Sequence, residues 1–571
     1  MPEGTDPTSR RRFLGGLACG GLLSGLGWRP AARGAEAGSG EIVLTVGELP
    51  FNVTGARRTA TAINGSVPGP LLRFREGDEV RIRVINTLRH ETSVHWHGIV
   101  LPSDMDGVPG LSFDGIPAGG SWLYRFPLRQ NGTYWYHAHS AFQEQTGLYG
   151  PLVIESREPE PFACEREHVV LLSDWSDDAP EHLFTTLKKQ SDYYDRQRAT
   201  LLELRDEARA HGWRAALAER RAWARMRMSP SDRADVTGAT YTYLVNGASP
   251  TANWTAQFAP GERVRLRFIN GSSMSIFDVR MPGLEMTVVA VDGLHVRPVA
   301  IDEFRLAAAE TLDVIVAPAN QAYTIFAQSI DRSGYARATL APRAGMTAPV
   351  PPLDRPTRLR MSDMGHGAHG AHGATHEAHA GHATNGMIVI EHPPTERTFE
   401  VDMQVDAPAT ALDDPGIGLR AADLHAARDG HTGTHRVLTL SQLRSLHPLP
   451  YAPTASRTIQ LHLTGHMERY IFSFDGVKFS DAAPIRIAHD EVVRIVLVND
   501  TMMEHPIHLH GLWSDVLDET GAFLVRKHTL SVPPASQRSY LVHANVRGRW
   551  AYHCHLLFHM EAGMFRELRV E

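Results

Sequence analysis

Three short segments of the chain share one pattern of alternating apolar and charged residues. Residues 81–86, 265–270 and 494–499 read RIRVIN, RLRFIN and RIVLVN. In the first two segments apolar side chains occupy every second position, which is typical of a strand with one buried face. Asn-Gly turn pairs lie upstream of them, at residues 64–65 and 246–247. A repeat of this kind predicts three related all-β domains, each a sandwich or a barrel.

Two segments interrupt the β pattern. Residues 188–228 contain 11 Lys and Arg against 6 Asp and Glu, with apolar residues at helical spacing on both sides of Gly212. They predict a helical hairpin inserted in the second domain, although a solvated surface element would have the same composition. Residues 361–382 contain six His among Gly and Ala, a composition that cannot bury a core. This segment is either a flexible linker with incidental imidazoles or a loose metal-capture loop.

Composition excludes several classes of protein. The 571 residues are too many for one small module and suffice for about three or four domains. The net charge is −7 without a dominant basic block, so nucleic acid is not an expected partner. Three Cys are too few for a disulfide framework or an all-cysteine zinc site. Any metal chemistry must therefore depend on the 31 His.

The first residues have the features of an export signal. Three consecutive arginines, residues 10–12, precede a weakly apolar, Gly-rich run to Trp28 and then the small-residue motif Ala-Glu-Ala at residues 35–37. This order predicts a twin-arginine signal peptide over residues 1–37, which would carry the folded protein to the periplasm. No later stretch has the roughly 18 continuous apolar residues of a membrane helix. We therefore expect a soluble periplasmic protein without a membrane span.

Paired histidines are the strongest sign of metal chemistry. Four clusters read HWH at residues 95–97, HAH at 137–139, HLH at 508–510 and HCH at 553–555. Residues i and i+2 of a strand share one face, so each cluster presents two imidazoles side by side. The first and third clusters each begin nine residues after the Asn that ends a repeat, where the second repeat has Val279. Domains one and three should therefore hold the site, and eight imidazoles suit three metal ions with positions left open for a small ligand.

A second ligand set lies beside these pairs. Cys554 stands between two of the histidines and points to the opposite strand face, as His505 does relative to its own pair. Together with His559 and Met564 they supply two imidazoles, a thiolate and a thioether, the ligands of a blue-copper electron-transfer centre. Because Cys554 is covalently continuous with its two neighbours, one short stretch of backbone joins the one-electron site to the multi-metal cluster.

These clusters resemble the four copper-binding motifs of the multicopper oxidases, and the likeness extends over residues 41 to 571. It implies cupredoxin-like Greek-key sandwiches at 41–157, 165–342 (with the helical insert at about 181–230) and 400–571, and a Met/His-rich linker at 343–399. The resemblance also implies four copper ions. It assigns a type 1 ion to His505, Cys554, His559 and Met564, a type 2 ion to His95 and His508, and a type 3 pair to His97, His137, His139, His510, His553 and His555.

The resemblance implies an oxidase with O2 as acceptor, which couples four one-electron oxidations of Cu(I) or phenols to the formation of water. Residues 226–228, 463–470 and the His/Met loop are similar to the periplasmic copper-resistance branch, whose members would meet other copper-handling proteins. Two alternatives remain: a periplasmic copper-sequestering protein, and a general laccase-type phenol oxidase. Relative turnover of Cu(I) and a phenol would distinguish the two enzymes.

The acidic residues depart from the family pattern. Family members often place an acid where this chain has Leu557 or Met560, and Glu561 is adjacent but out of register. Asp106 matches the family's acid near the type 2 copper, and it is our candidate catalytic residue for proton relay or for orienting a copper-bound water. A plain Asp-Gly turn is the alternative role of Asp106.

Overall fold

The computed structural model describes residues 35–36, 40–365, 397–421, 423–424 and 435–571. They form three consecutive β-sandwiches, which confirms the predicted all-β class and its three repeated units. Most of the proposed signal peptide and all six His of the proposed capture loop lie outside the described residues.

The first sandwich contains a five-stranded and a four-stranded sheet. In spatial order the five strands are Ala35–Glu36, Leu72–Arg75, Tyr149–Glu155, Gly132–His137 and His95–His97. The four strands are Arg58–Ile63, Ile42–Phe51, Glu79–Asn86 and Ser121–Pro127. Two of the His-x-His clusters thus begin or end on neighbouring strands of one sheet.

The other two sandwiches each contain a six-stranded and a five-stranded sheet. In the second they are Tyr241–Val245, Arg166–Ser176, Val264–Asn270, Thr311–Val316, Met286–Val291 and Leu294–Ile301, and then Trp254–Gln257, Tyr335–Ala341, Tyr323–Ser329, Phe277–Arg280 and Glu303–Leu306. In the third they are Ile471–Phe474, Thr458–His466, Val492–Asn499, Gln537–His543, Ser514–Leu517 and Phe523–Lys527, and then Ile485–Ile487, Phe565–Val570, Gly548–Cys554, His505–Leu509 and Thr529–Val532.

The three sequence repeats occupy equivalent central strands. Each pairs in parallel with the first long strand of its sandwich and antiparallel with a later one. The Asn that ends each repeat is fully buried, and its side-chain amide donates to at least two main-chain carbonyls. A buried amide must find such partners, which accounts for the repeated Asn. These three residues are Asn86, Asn270 and Asn499.

The predicted insert is helical, as Pro180–Lys189, Leu201–His211 and Trp213–Met226. Thr200 and Glu203 form a capping box at the start of the second helix, and Gly212 separates the second helix from the third. The remaining α-helix in the part of the chain that the structure describes is Leu557–Glu561, and 3-10 turns there occupy Ser103–Met105, Met361–Met364, Leu440–Gln442, Met467–Arg469 and Phe479–Asp481. Within the described ranges no helix is both long enough and apolar enough to cross a membrane.

Candidate metal centre

Strand pairing brings the four His-x-His clusters together. His95 lies directly opposite His137 in one antiparallel pair, and His508 lies opposite His553 in another. Since side chains of directly opposed residues lie on the same face of a sheet, each pair of clusters forms a patch of imidazoles. One patch comes from the first sandwich and one from the third. They meet at contacts such as the stacked rings of His95 and His510, whose centroids are 3.8 Å apart.

The tautomers of these imidazoles follow from their hydrogen bonds. In most of them Nδ1–H donates to an acceptor held by the fold, which leaves a lone pair on Nε2. The pairs are His95 with the Asp106 main-chain oxygen at 2.8 Å, His137 with the Ala138 oxygen at 3.0 Å, His508 with the His528 oxygen at 2.6 Å, His510 with Asp106 Oδ2 at 2.8 Å, and His553 with the Cys554 oxygen at 2.9 Å.

The lone pairs converge on one another. Nε2 of His510 lies 3.0 Å from Nε2 of His553, which is also 3.4 Å from Nε2 of His139. On the other side, Nε2 of His137 lies 3.3 Å from Nε2 of His555. Two unprotonated ring nitrogens at such distances repel each other unless a cation lies between them. The donor set therefore fits metal ions, and nitrogen ligands of this type suit copper.

Several ring nitrogens have no hydrogen-bond partner among the described residues, although they are buried. They are Nε2 of His95 and His508 and Nδ1 of His97 and His555. A buried polar atom without a partner is costly, and a metal ion would satisfy Nε2 of His95 and His508 and Nδ1 of His97. In His555 it is Nε2 that faces another ring nitrogen. Groups with ligand atoms within 4.8 Å of one another include His95 with His508 and His510, and His139 with His510 and His553.

The second ligand set lies on the opposite face of the strand that carries Cys554. Its Sγ is 3.5 Å from Nδ1 of His505 and 3.8 Å from Nδ1 of His559. The Nε2 atoms of both rings are occupied, by Thr501 Oγ1 at 2.7 Å and by Asp235 Oδ2 at 2.8 Å. Both Nδ1 atoms therefore face the sulfur.

Met564 is fully buried and bonded to this group through its main chain. Its carbonyl accepts from the Cys554 N–H at 3.1 Å, and its own N–H donates to the His559 carbonyl at 3.0 Å. The tight turn that follows Cys554 thus brings the main chain of Met564 next to that of Cys554 and His559. The other eleven predicted ligands have side chains in two neighbouring clusters.

Burial controls the protonation of both clusters. It lowers the pKa of most of the clustered imidazoles well below the ordinary histidine value, and that of His553 to about 4. These rings are therefore neutral, which is the ligand form. Burial raises the pKa of the Cys554 thiol, so that a thiolate there needs a nearby cation, and a bound metal ion deprotonates a coordinating thiol.

Asp106 lies inside the imidazole cluster rather than in a surface turn. It is fully buried, and it binds His510 through its carboxylate and His95 through its main-chain carbonyl. The neighbouring Gly107 has a positive φ, and a β-carbon there would lie 1.9 Å from the Val94 carbonyl oxygen. The Asp-Gly turn therefore packs directly on the strand of the first cluster.

Three buried ionisable residues that contact the predicted ligands were not predicted from the sequence. Glu144 Oε2 lies 2.6 Å from Nδ1 of His137, and Asp235 accepts from His559. His528 contacts His97 at 3.1 Å. None belongs to a His-x-His pair. The nearest signal was for Glu144, a carboxylate five residues after a cluster in a chain that lacks the family's acids at Leu557 and Met560.

The Cys554 group can support one-electron transfer, and the imidazole cluster can support a multi-electron reaction. Cys554 is flanked by His553 and His555, so two peptide bonds connect the groups. Electrons that arrive singly could therefore pass to a site where a small molecule takes several.

Comparison with known proteins agrees with this geometry. Family profiles described as multicopper oxidase match residues 45–159, 166–345 and 452–571. The chain is 56% identical to the copper resistance protein A homolog of Pseudomonas syringae pv. tomato and 50% identical to copper resistance protein A of Escherichia coli, each over 99% of both chains. The crystal structure of Fet3p, a multicopper oxidase that functions in iron import, shares the fold with a TM-score of 0.63 at 18% identity, over 93% of this chain and 90% of that one.

Proposed function

The chain belongs to the multicopper oxidase family, and on that premise we propose that it oxidises Cu(I) by single electrons and reduces O2 to water in copper resistance. It is an oxidoreductase that depends on copper. The observation that carries the proposal is the covalent continuity of Cys554 with His553 and His555. Sequestration of copper needs no such connection between two kinds of site, so the storage alternative is not favoured.

We assign four coppers to the twelve ligands. His505, Cys554, His559 and Met564 would hold the type 1 ion, His95 and His508 the type 2 ion, and His97, His137, His139, His510, His553 and His555 the type 3 pair. Copper supplies the one-electron redox steps and the site at which O2 is reduced. This stoichiometry is supported by the two separate clusters and by the unpartnered ring nitrogens of the imidazole cluster.

The protein's own residues orient the ligands and exclude water. Asp106 accepts from His510, and Glu144 lies at hydrogen-bond distance from His137, so two carboxylates orient imidazoles on two sides of the cluster. Burial, with the negative charge of Asp174 nearby, raises the pKa of Glu144 well above the ordinary value. Glu144 thus holds a proton at neutral pH more readily than an exposed carboxyl would. Leu557, where members of the family often have an acid, has no ionisable side chain.

Burial of the type 1 ligands supports Cu(I) over phenols as the reductant. His559 is fully buried, and its outer ring nitrogen is covered by Asp235, which is itself only 2% exposed. An aromatic reductant therefore cannot touch the imidazole edge. A small reductant such as Cu(I) needs no such contact area. We propose that phenols are poorer substrates.

We further propose that the protein acts in the periplasm, beside other copper-handling proteins. Support comes from the arginine run and the Ala-Glu-Ala motif of residues 1–37, which suit twin-arginine export of a folded chain. Export after folding also suits a protein whose ligands come from domains at opposite ends of the chain.

The decisive test replaces the bridging thiol. A Cys554→Ser variant should lose the blue thiolate-to-copper absorption and O2 consumption with Cu(I) together, because it removes the thiolate ligand. Cys164→Ser is the matched control, since Cys164 is a half-buried free cysteine outside both clusters and its loss should change neither readout. Continued turnover by Cys554→Ser would refute the proposal. Relative turnover of Cu(I) and a dimethoxyphenol by the parent then tests the substrate assignment.

A further inference from the structure

A ninth imidazole lies against the cluster, and the family ligand set does not include it. His528 is 1% exposed and directly precedes the strand Thr529–Val532. Its Nδ1 lies 3.1 Å from Nε2 of His97 and 3.1 Å from Thr529 Oγ1. A role of His528 in copper binding rests on the proposed function, because that role concerns how the chain orients a copper ligand.

His97 differs from most of the other ligand imidazoles in the nitrogen that it leaves free. Its Nδ1 has no partner among the described residues, whereas its Nε2 contacts both His528 and Thr529 Oγ1, the latter also at 3.1 Å. An imidazole that binds a metal through Nδ1 carries its proton on Nε2. That N–H needs a buried acceptor, and Nδ1 of His528 is in place to accept it.

The other edge of the His528 ring faces away from the ligands. A β-carbon on Gly98 would lie 2.4 Å from Cδ2 of His528 and 3.0 Å from its Nε2. The Cδ2–Nε2 edge therefore packs on the main chain next to His97, and Gly98 leaves room for it. The Nδ1 atom of His528 is therefore the ring nitrogen that faces His97.

The middle domain, which supplies no ligand, holds the segment that contains His528. Asp292 is fully buried, and its Oδ2 accepts from the main-chain N–H groups of His528 and Thr529 at 3.1 and 3.2 Å. The Lys527 ammonium lies 3.1 Å from the same oxygen. Three donors on one carboxylate oxygen fix the backbone of this segment, and with it the place of the ring.

We propose that His528 is a positioning residue for His97: its Nδ1 accepts the His97 Nε2–H and so turns Nδ1 of His97 toward the metal cluster. Through Asp292 the middle domain thereby supports a centre to which it contributes no ligand. The arrangement differs from that of His510, whose Nδ1–H is held by Asp106.

Two substitutions separate this role from direct ligation. In His528→Asn the amide oxygen takes the approximate place of Nδ1 and can still accept from His97, whereas His528→Leu has no acceptor. Copper-loaded parent and variants are titrated with a chelator, and the loss of blue and of non-blue copper is followed separately. Parent protein that binds no copper would refute the proposed function itself, before any variant is compared.

In His528→Leu we expect the chelator concentration that removes half of the non-blue copper to fall roughly 10- to 100-fold, with the blue absorption unchanged. His528→Asn should stay within about threefold of the parent, since its acceptor is retained. The control is His543→Leu, a partly buried histidine of the same domain outside both clusters. Parent-like affinity in His528→Leu would overturn the inference. Equal losses in both variants would also overturn it, because they would make His528 a ligand.

Discussion

Removal of the Asp106 carboxylate tests how much a single buried hydrogen bond contributes to copper binding. Its Oδ2 accepts from the His510 Nδ1–H at 2.8 Å, and no part of the residue is exposed to solvent. In Asp106→Ala that N–H is left buried without its acceptor. The main-chain carbonyl that holds His95 is retained, so the effect should centre on His510.

The magnitude follows from the kind of bond that is lost. Hydrogen bonds to a charged group contribute about 1.5–3 kcal/mol. Loss of a partner that orients a metal ligand typically weakens metal binding about 10- to 100-fold, or roughly 1.4–2.8 kcal/mol, which is the same range. Asp106→Asn keeps an acceptor oxygen but not the charge, so we expect a smaller loss of about 1 kcal/mol, or roughly fivefold.

The assay is chelator competition for the non-blue copper at constant pH, with blue absorption as the internal reference. Asp104→Ala is the control, since Asp104 lies two residues away on the exposed side of the same turn. An Asp106→Ala variant whose affinity for non-blue copper is within about twofold of the parent would refute the reasoning. A buried N–H without an acceptor should lower the affinity by more than that.

Two further perturbations test the type 1 group and the buried imidazoles. Asp235→Asn removes the charge that holds the His559 N–H. The reduction potential of the blue site should therefore rise by roughly 60 mV for each tenfold loss of Cu(II) affinity. Redox titration of the blue absorption measures this potential, and an unchanged value would contradict the prediction. Burial lowers the pKa of His528 and His553 from 6.5 to about 4. Between those pH values these two histidines bind more protons in the unfolded chain than in the folded protein. The free energy of unfolding of the copper-free protein should therefore fall by at most about 3 kcal/mol for each of the two as the pH falls from 6.5 to 4. Equal urea midpoints at pH 7.5 and 5 would contradict this.

Much of the site could be predicted from local patterns. The period of two in a strand places both members of each His-x-His pair on one face, and Cys554 on the other. The nine-residue spacing from each repeat's Asn located the first and third clusters, because the three repeats form equivalent strands. The helical insert was also predictable, although Leu201 and Trp213 are exposed and its buried contacts come from Ala208, Ala216 and Trp223.

Residues that hold the ligands in place could not be found in this way. His528 and its partner His97 are separated by 431 residues, and Asp235 and His559 by 324. A carboxylate or an imidazole acquires such a role from the geometry of the junction between domains, and no short-range period marks it. Glu144 is closer to its partner in sequence, but the turn that directs its side chain back onto His137 is a property of the packed sandwich.

The candidate ligands of this protein could therefore be predicted from the linear chain, because covalent spacing and strand alternation decide which side chains share a face. The paired histidines and the alternation around Cys554 already predicted two kinds of copper site. Which nitrogen of each ring faces the metal, and which buried group holds the other nitrogen, depended on the assembled structure. Those choices are made by hydrogen bonds between residues hundreds of positions apart, and such bonds form only after three sandwiches have packed together.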